Sequence, residues 1–395
     1  MRSTRQTAVA SYGSAVLVPE STRWSSADAD RRFHTNHLVR LGPSDSGGSP
    51  SGYTPQQIAV AYGVPTPISG GAGAIAIVDA FDDPNALNDF NEFSTYFGLP
   101  TEPSSTPTAS SNQYLQVVYA TGQEPQANAS WSQEISGDIE WAHAMAPQAK
   151  IYLVEAASDS TSDIMAAVST AKALSGVREV SMSFGSPETA CSIVDDDSIF
   201  VQSGVAFFAA TGDEPAVRDY PATSSNVVAV GGTTLELSSS GDRESETVWQ
   251  DTGCGPSAYE PRPVFQDQYY STVGLYRAAC DVVAEADPNT GVDVYDSFAY
   301  QGASGWLVLG GTSVASPIMA GIVNSSGVDY GSSQSLNTVM YSLASSSCWN
   351  KITSGSAGGY SGGSPWGFAS GLGSPNGLAS ALSSASSSVR LRTRR

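Results

Sequence analysis

Short apolar segments alternate with helical segments along the middle of this chain of 395 residues. The segment Ala74–Asp79 is apolar until it ends on an acid, a pattern typical of a strand buried on both faces. Further strands are predicted at 114–120, 151–155, 179–184, 205–210 and 227–230, and helices at 83–97, 131–145, 162–174 and 193–202. This alternation predicts an α/β fold of three layers, in which a mostly parallel central sheet is flanked by helices.

The composition also predicts how the chain is divided. Residues 1–52 are polar and irregular and end in a run of Gly, Pro and Ser, as in a linker or a remnant that lies over a domain. His34 and His37 fall in this segment. Residues 53–385 are predicted to form one domain, and the basic tail 386–395 is predicted to be disordered.

The net charge of −20 at pH 7 excludes partners that need a basic surface. Nucleic acids and anionic membranes are therefore not expected to bind, and no apolar run approaches the ~18 residues that span a bilayer. The four cysteines are compatible with two disulfides, whose pairing the count leaves open. Disulfides form in oxidising compartments, so we expect a secreted protein, although the segment after Arg5 is a weak signal sequence.

The stretch Gly310–Gly321 is the strongest candidate for a catalytic element. Its two leading glycines permit a tight turn, Thr312 is a good N-cap, and Val314 and Ile318 follow at helical spacing. Ser313 would then lie at a helix N-terminus, where free N–H groups and the helix dipole favour developing negative charge. The stretch predicts a nucleophilic serine, and the alternative is an ordinary helix cap in a serine-rich chain.

A serine nucleophile needs a base, and the predicted helix 131–145 offers two kinds. Glu134 and Asp138 are four residues apart and share one face of this helix. At about 100° per residue, His143 lies on the opposite face from Glu134. If the two carboxylates face the serine, His143 therefore does not.

Both kinds of base remain open at this point. Two carboxylates held close share a proton and can act as a base at acid pH, but the same spacing also occurs on a solvated helix face. The chain order Asp79, His143, Ser313 instead resembles the triad of subtilisin. A third acid, Asp213, follows the predicted strand 205–210 in a turn opened by Gly212, where aspartate is also common without any catalytic role.

Short motifs along the chain resemble those of the sedolisins, the serine-carboxyl peptidases with a subtilisin-like fold. The resemblance covers roughly residues 53–380. The motifs are Glu134-xxx-Asp138 followed by IEWAHAMAP, SMSFG from Ser181, ATGD ending at Asp213, DYPAT from Asp219, VGGTT, GGTS ending at Ser313, and the later segments ITSG and SGLGSP. Each motif alone is weak evidence, but their common order identifies the chain as a member of this family.

The resemblance implies a role for each candidate residue. Ser313 would be the nucleophile, and Glu134 would be its general base and acid. Asp138 would orient Glu134 and help to hold the shared proton, and Asp213 would be the acid of the oxyanion hole. Because Asp213 must be protonated to donate to an oxyanion, activity is expected at acid pH.

The function expected from this resemblance is that of an endopeptidase acting on protein or peptide substrates, most simply as a monomer. Two alternatives are a neutral peptidase that uses His143 and an inactive homologue that binds peptides. The chain also departs from the family, because residues 1–52 stand in place of a long prodomain and contain the possible remnant His34-Thr-Asn-His37. Asp79 and Phe184 stand where some relatives have Glu and Trp.

The resemblance extends to the cysteines. Related chains place a cysteine pair in the region 240–310, which implies a disulfide between Cys254 and Cys280. Cys191 and Cys348 would then form the second disulfide.

The resemblance further predicts that no cofactor is bound, because the calcium site of the family is altered. Lys351 and Gly367 stand where the family has two aspartates, and calcium draws much of its affinity from carboxylates. We expect the Lys351 ammonium to bond the carbonyls that would have faced the metal and to tie the glycine loop 353–363 to the core. The alternative is a register shifted by one residue, with Asn350 supplying an oxygen ligand.

Overall fold

Strands and helices alternate through the part of the chain that a computed structural model describes, residues 16–25, 27–29, 31–41, 49–190 and 197–392. The helices are α1 (Pro55–Ala61), α2 (Ala86–Phe97), α3 (Ala129–Met145), α4 (Thr161–Ala171), α5 (Tyr270–Val273), α6 (Thr312–Asn324), α7 (Ser333–Ser342) and α8 (Leu378–Arg392). The strands are β1 (Val16–Leu17), β2 (His34–Thr35), β3 (Leu38–Arg40), β4 (Ala74–Ala80), β5 (Leu115–Tyr119), β6 (Lys150–Ala156), β7 (Val177–Met182), β8 (Phe184–Pro187), β9 (Ala206–Ala210), β10 (Asp219–Tyr220), β11 (Val228–Leu237), β12 (Arg243–Val248), β13 (Gly255–Pro261), β14 (Tyr276–Ala279), β15 (Val282–Glu285), β16 (Val292–Tyr300), β17 (Ala303–Gly310), β18 (Trp349–Asn350), β19 (Ser356–Ala357), β20 (Tyr360–Ser361) and β21 (Ser374–Pro375).

The central sheet has eight strands and is mostly parallel. Seven of them follow the order β12-β11-β9-β7-β4-β6-β5, and β15 pairs with β11 beside them. Strand β4 lies between β6 and β7 and is parallel to both, whereas the edge strand β12 is antiparallel to β11. The predicted three-layer α/β fold is therefore confirmed.

Successive side chains of β4 pack into separate cores on the two faces of the sheet. Ile75 and Ile77 belong to the core that contains residues of α3 and α6. Ala76 and Val78 belong to the core on the opposite face, which contains residues of α4. The strand therefore carries Asp79, which is fully buried, to the carboxyl edge of the sheet.

The predicted boundary after residue 52 does not separate the N-terminal segment from the domain. Strand β3 joins a four-stranded sheet in the order β1-β3-β17-β16, and β2 joins a three-stranded sheet in the order β10-β8-β2. Leu38 and Val39 in β3 are at most 4% exposed. These apolar residues make the segment an integral part of the fold, which its polar composition conceals.

Two predicted elements differ from the structure. Residues 193–196 of the helix predicted at 193–202 lie outside the described residues, and Asp197–Phe200 forms a short 3-10 helix. Helix α8 continues to Arg392, where a disordered tail is predicted, because adding residues to a helix that has already formed is less costly than starting one. Across the described residues, none of the helices combines the length and the apolar character needed to cross a membrane.

The cysteine prediction is wrong for the pair in the irregular region. Cys254 and Cys280 are free, buried thiols. Each directs its sulfur to a backbone carbonyl at 3.6 Å, that of Ala357 for Cys254 and that of Gly253 for Cys280. Cys348 is also a free thiol, and Cys191, its predicted partner, lies outside the described residues.

Candidate active site

Ser313 lies in the first turn of α6, directly after the glycine turn. Gly311 is the N-cap residue and has a φ of 106°, a conformation that favours glycine. The Ser313 hydroxyl donates to the carbonyl of Ser183 at 2.8 Å, and it accepts from the N–H of Asn36 at 3.1 Å. The side chain is only 2% exposed, so the candidate nucleophile is covered by residues of the N-terminal segment.

Thr312 is the first helical residue, and the prediction that it caps α6 is wrong by one position. Its N–H and its hydroxyl both donate to Oδ1 of Asp213, each at 2.8 Å. The other carboxyl oxygen of Asp213, Oδ2, has no hydrogen-bond partner among the residues that the structure describes. Burial raises the pKa of Asp213 well above its usual value, and the bonds from Thr312 offset this only in part. Asp213 is therefore held beside the nucleophile as a group that favours the protonated state.

Helix α3 presents Glu134 and Asp138 to the same side as Ser313. The helix starts at an N-cap, Asn128, whose side chain accepts from two N–H groups of the first turn. Both acids are 1% exposed. Asp138 accepts a hydrogen bond from the Ser183 hydroxyl at 2.8 Å, so Ser183 contacts both a carboxyl of α3 and the nucleophile.

The two acids form a buried cluster with Asp79. Burial raises the pKa of Glu134 to about 8, although the Ser313 hydroxyl and the Asn36 amide lower it in part. Burial and the charge of Glu134 raise the pKa of Asp138, and burial and both of these acids raise the pKa of Asp79. The three carboxyl groups favour shared protons over three negative charges.

His143 lies away from this cluster, as the helical geometry predicts. Its Nε2 atom lies 2.9 Å from the carbonyl oxygen of Pro100, and its ring packs against Phe90 with the ring centroids 4.5 Å apart. Burial lowers the pKa of His143 to about 4. The order Asp79, His143, Ser313 therefore does not correspond to a triad in space.

Residues 34–40 run through the site as extended chain on both sides of the nucleophile. Strand β2 pairs antiparallel with β8, and β3 pairs antiparallel with β17, the strand that leads into Gly311. Only Asn36 and His37 lie between β2 and β3, and both are buried. The segment is thus fixed by sheet pairing before and after the two residues that face Ser313.

The carbonyl group of Asn36 points into the space between Ser313 and Asp213. Its oxygen accepts from the Ser313 N–H at 3.1 Å. A Cβ placed on Gly311 would meet this oxygen at 2.1 Å and the unpartnered Oδ2 of Asp213 at 2.7 Å, so the two oxygens border the same small space. The Asn36 oxygen therefore has one donor, the Ser313 N–H, and lies beside a carboxyl oxygen that could become a second donor on protonation.

Two histidines of the segment contact buried acids. The Nδ1 atom of His37 lies 2.6 Å from Oε2 of Glu134, and the Nε2 atom of His34 lies 3.7 Å from Oδ2 of Asp219. Burial lowers the pKa of His37 to about 3 and that of His34 to about 4. Both side chains are thereby held in the neutral form against acids whose own pKa burial raises.

Sequence reasoning brings the four candidate residues together correctly but misses their surroundings. Glu134, Asp138, Asp213 and Ser313 all line this site, with Asp79 beside them. Ser183 and Asn36 are not predicted as part of it. Ser183 lies within the quoted SMSFG motif, which marked it for attention, whereas no local pattern around Asn36 signals a contact with a residue 277 positions away.

The altered calcium site is filled by side-chain and backbone groups. The Lys351 ammonium donates to the carbonyls of Ala344 at 2.5 Å, Leu372 at 2.9 Å and Pro365 at 3.5 Å. These carbonyls lie outside the loop 353–363, so that part of the prediction is wrong. A Cβ on Gly367 would meet the N atom of Gly363 at 2.5 Å, which leaves no room for a carboxylate side chain. The residues present do not fit a calcium ion at this place.

Comparison with known proteins shows to which family the chain belongs. A model of the subtilase family matches residues 117–341, more than half of the chain. The chain belongs to the subtilase family. Among curated proteins, this subtilase is 31% identical to kumamolisin of Bacillus sp. (strain MN-32) over 307 residues, which cover 70% of this chain and 52% of kumamolisin. It is 26% identical to sedolisin of Pseudomonas sp. (strain 101) over 368 residues, which cover 82% of this chain and 60% of sedolisin.

These relatives confirm the resemblance of this subtilase to the sedolisins. The chain spans about half the length of the curated relatives it matches. Its structure is similar to that of Pseudomonas sedolisin, a serine-carboxyl proteinase solved with two molecules of pseudo-iodotyrostatin, with a TM-score of 0.70 and 24% identity. The match covers 86% of this chain and 99% of that one, which establishes the subtilisin-like fold.

Proposed function

We propose that this subtilase is a serine-carboxyl endopeptidase that hydrolyses protein or peptide substrates at acid pH. The main support for the proposal is the way in which residues 34–40 bind across the site as an extended segment. They pair with β8 and β17 on either side of Ser313, and the Asn36 carbonyl accepts from the Ser313 N–H at 3.1 Å. A substrate peptide bound in the same extended conformation would place one peptide bond next to the Ser313 hydroxyl.

In the first step, Ser313 Oγ attacks the carbonyl carbon of the bound peptide bond, and Glu134 takes the hydroxyl proton. Asp138 and Asp79 assist this proton transfer to Glu134. The three acids are close enough to share a proton, so Glu134 does not have to hold it alone. Ser183 positions Ser313 and Asp138, because its carbonyl accepts from the Ser313 hydroxyl and its own hydroxyl donates to Asp138. The attack yields a tetrahedral intermediate with a negatively charged oxygen.

This oxygen would lie where the Asn36 oxygen lies, between the Ser313 N–H and Oδ2 of Asp213. A protonated Asp213 donates a hydrogen bond to it, whereas an ionised Asp213 would repel it. A donor of this kind typically contributes a factor of about 10²–10³ to kcat. Thr312 fixes the donor, because it engages the other oxygen of the carboxyl group.

Collapse of the intermediate breaks the C–N bond, and Glu134 returns the proton to the leaving amine. The product is an ester between Ser313 and the acyl part of the substrate, and water hydrolyses it by the same steps with Glu134 again as the base. No step needs a metal ion. We propose that catalysis uses no cofactor and that no calcium ion binds at Lys351 and Gly367. We also propose that the enzyme is secreted and acts as a monomer.

The test is digestion of casein and of a peptide library at several pH values, with the wild type and Ser313→Ala. Cleavage that is strongest at acid pH and absent in Ser313→Ala supports the proposal. Cleavage that survives in Ser313→Ala would overturn the assignment of the nucleophile. Peptide binding without turnover in the wild type would instead favour an inactive peptide-binding homologue.

A further inference from the structure

A second cluster of buried acids lies on the other side of α3 from Glu134. Asp83 follows β4, Asp89 lies on α2, and Asp296 lies on β16. Each of the three offers one carboxyl oxygen, and these oxygens all lie within 4.8 Å of one another. Calcium binds oxygen ligands at 2.3–2.6 Å, so ligands on opposite sides of one ion are about 5 Å apart. The three oxygens are therefore close enough to share a single ion.

Hydrogen bonds orient the three carboxyl groups without using all of their oxygens. Oδ1 of Asp83 accepts from the N–H of Asn85 at 2.9 Å. Oδ1 of Asp296 accepts from the Ser132 hydroxyl at 3.0 Å and from the N–H of Phe298 at 2.9 Å. Within the described part of the chain, Oδ2 of Asp83 and Oδ2 of Asp296 have no hydrogen-bond partner, although the two residues are only 3% and 0% exposed. A buried carboxylate oxygen without a partner is costly unless a cation is nearby.

Asp89 is held in the same way. Its Oδ1 accepts from the Asn88 amide at 3.0 Å and from the hydroxyl of Ser297, a neighbour of Asp296 in sequence, at 2.8 Å. Its Oδ2 accepts from the Ser297 N–H at 2.8 Å and lies 3.0 Å from the same hydroxyl. Because a hydroxyl donates a single hydrogen and each carboxylate oxygen has two lone pairs, one lone pair of Asp89 stays available for an ion. Hydrogen bonds thus hold the loop after β4, helix α2 and strand β16 around the space between the three carboxyl groups.

Among the described residues, none of the hydrogen bonds to these three carboxyl groups comes from a cationic side chain. Glu140 lies close by, because its Oε2 accepts at 3.0 Å from the N–H of Tyr295, the residue before Asp296. Within the same part of the chain, Oε1 of Glu140 has no hydrogen-bond partner. The group thus differs from the buried Arg277–Asp281 pair, where a guanidinium lies 2.6 Å from the carboxylate.

We propose that Asp83, Asp89 and Asp296 bind one divalent cation, and that calcium is the ion these donors fit best. All the donors are oxygens, which hard cations prefer, and there is no nitrogen or sulfur donor among them to favour zinc. The ion would hold together the loop after β4, helix α2 and strand β16. The hydrogen bond from Ser132 to Asp296 would connect this group to the start of α3. It would therefore stabilise the base of the helix that carries Glu134 and Asp138.

The experiment uses the full chain with Ser313→Ala, so that self-digestion does not interfere. After treatment with EDTA and its removal, calcium chloride is titrated at pH 7.5, and binding is followed by calorimetry and by metal analysis. We expect one calcium ion per chain and a rise in Tm of about 3 °C or more at saturation. No calcium bound at millimolar concentration would overturn the proposal.

Three further variants locate the ion. Asp296→Asn and Asp83→Asn keep the shape of the side chain and remove its charge, so we expect both to fold and to lose the calcium effect. Glu179→Gln is the matched control, because Glu179 is also a buried acid but pairs with Ile75 at the opposite end of β4; it should keep the calcium effect. Calcium binding that persists in both aspartate variants would show that the ion lies elsewhere.

Discussion

The Nδ1 atom of His37 lies 2.6 Å from the Oε2 atom of Glu134, and both side chains are shielded from solvent. The residue that follows Asn36 thus contacts the acid that we propose as the base. Burial lowers the pKa of His37 to about 3 and raises that of Glu134 to about 8. Burial thus favours the neutral form of both side chains, and a protonated Glu134 cannot accept a proton from Ser313. We propose that the bound segment holds the site in a resting state.

The first prediction concerns the bond that the segment presents. Because the Asn36 carbonyl lies at the Ser313 N–H, we expect slow self-cleavage between Asn36 and His37 at acid pH. Intact-mass analysis over time should show a product that begins at His37. Ser313→Ala should stay intact under the same conditions, and a product that begins at another residue would contradict the assigned register.

The second prediction concerns the catalytic groups. We expect each of Glu134→Ala, Asp138→Ala, Asp213→Ala and Ser313→Ala to lower kcat by at least about 10². His143→Gln should keep near wild-type activity, since its ring contacts Pro100 and Phe90 rather than the nucleophile. Steady-state kinetics on one peptide, with circular dichroism as the folding control, measures both. An inactive but folded His143→Gln would contradict the assignment of the base.

The third prediction is the shape of the pH profile. Glu134 must be ionised to act as a base. Its pKa of about 8 is due mainly to burial under the segment 34–40, so displacement of that segment by a substrate lowers the pKa, and activity falls as the pH drops through this lower value. Asp213 must be protonated to donate, so activity falls as the pH rises through a pKa that burial raises. We expect a maximum of kcat/KM below pH 7. In Asp213→Asn the amide donates at every pH, so the alkaline limb should move upward; an unchanged limb would assign it to another group.

The fourth prediction concerns Lys351, which we propose replaces the calcium ion of the family. Lys351→Met removes a charged donor from three carbonyls and should lower the free energy of unfolding by about 2 kcal/mol. Lys172→Met is the matched control, because the Lys172 ammonium bonds a single carbonyl, that of Ile199, and a smaller loss is expected there. Denaturant unfolding measures both.

The proposed absence of calcium at Lys351 can also be tested by chelation. In Asp296→Asn, which lacks the cation site proposed above, EDTA should leave the Tm unchanged. A clear fall in Tm on chelation of this variant would mean that calcium binds near Lys351 after all.

The sequence predicts the sheet, and it selects four residues that the structure places near one another; their catalytic roles stay predictions. Strands such as β4 are apolar on both faces, and the spacing of Glu134, Asp138 and His143 determines which of them share a face of α3. The contacts of Asn36 and His37 could not be predicted in this way, because they join residues far apart in the chain and depend on sheet pairing. Cys254 and Cys280 were likewise misassigned, since their proximity in sequence does not determine where each thiol points.

Strand β3 has a consequence for substrate affinity. It is paired with β17 on one side and with β1 on the other, and it remains covalently attached to the domain after a cut between Asn36 and His37. A strand that stays tethered competes within the same molecule, at an effective concentration that exceeds that of a dilute free peptide. Incoming peptides must therefore displace it from the leaving-group side of the cleft, and their apparent affinity is reduced by the fraction of time that the strand is bound.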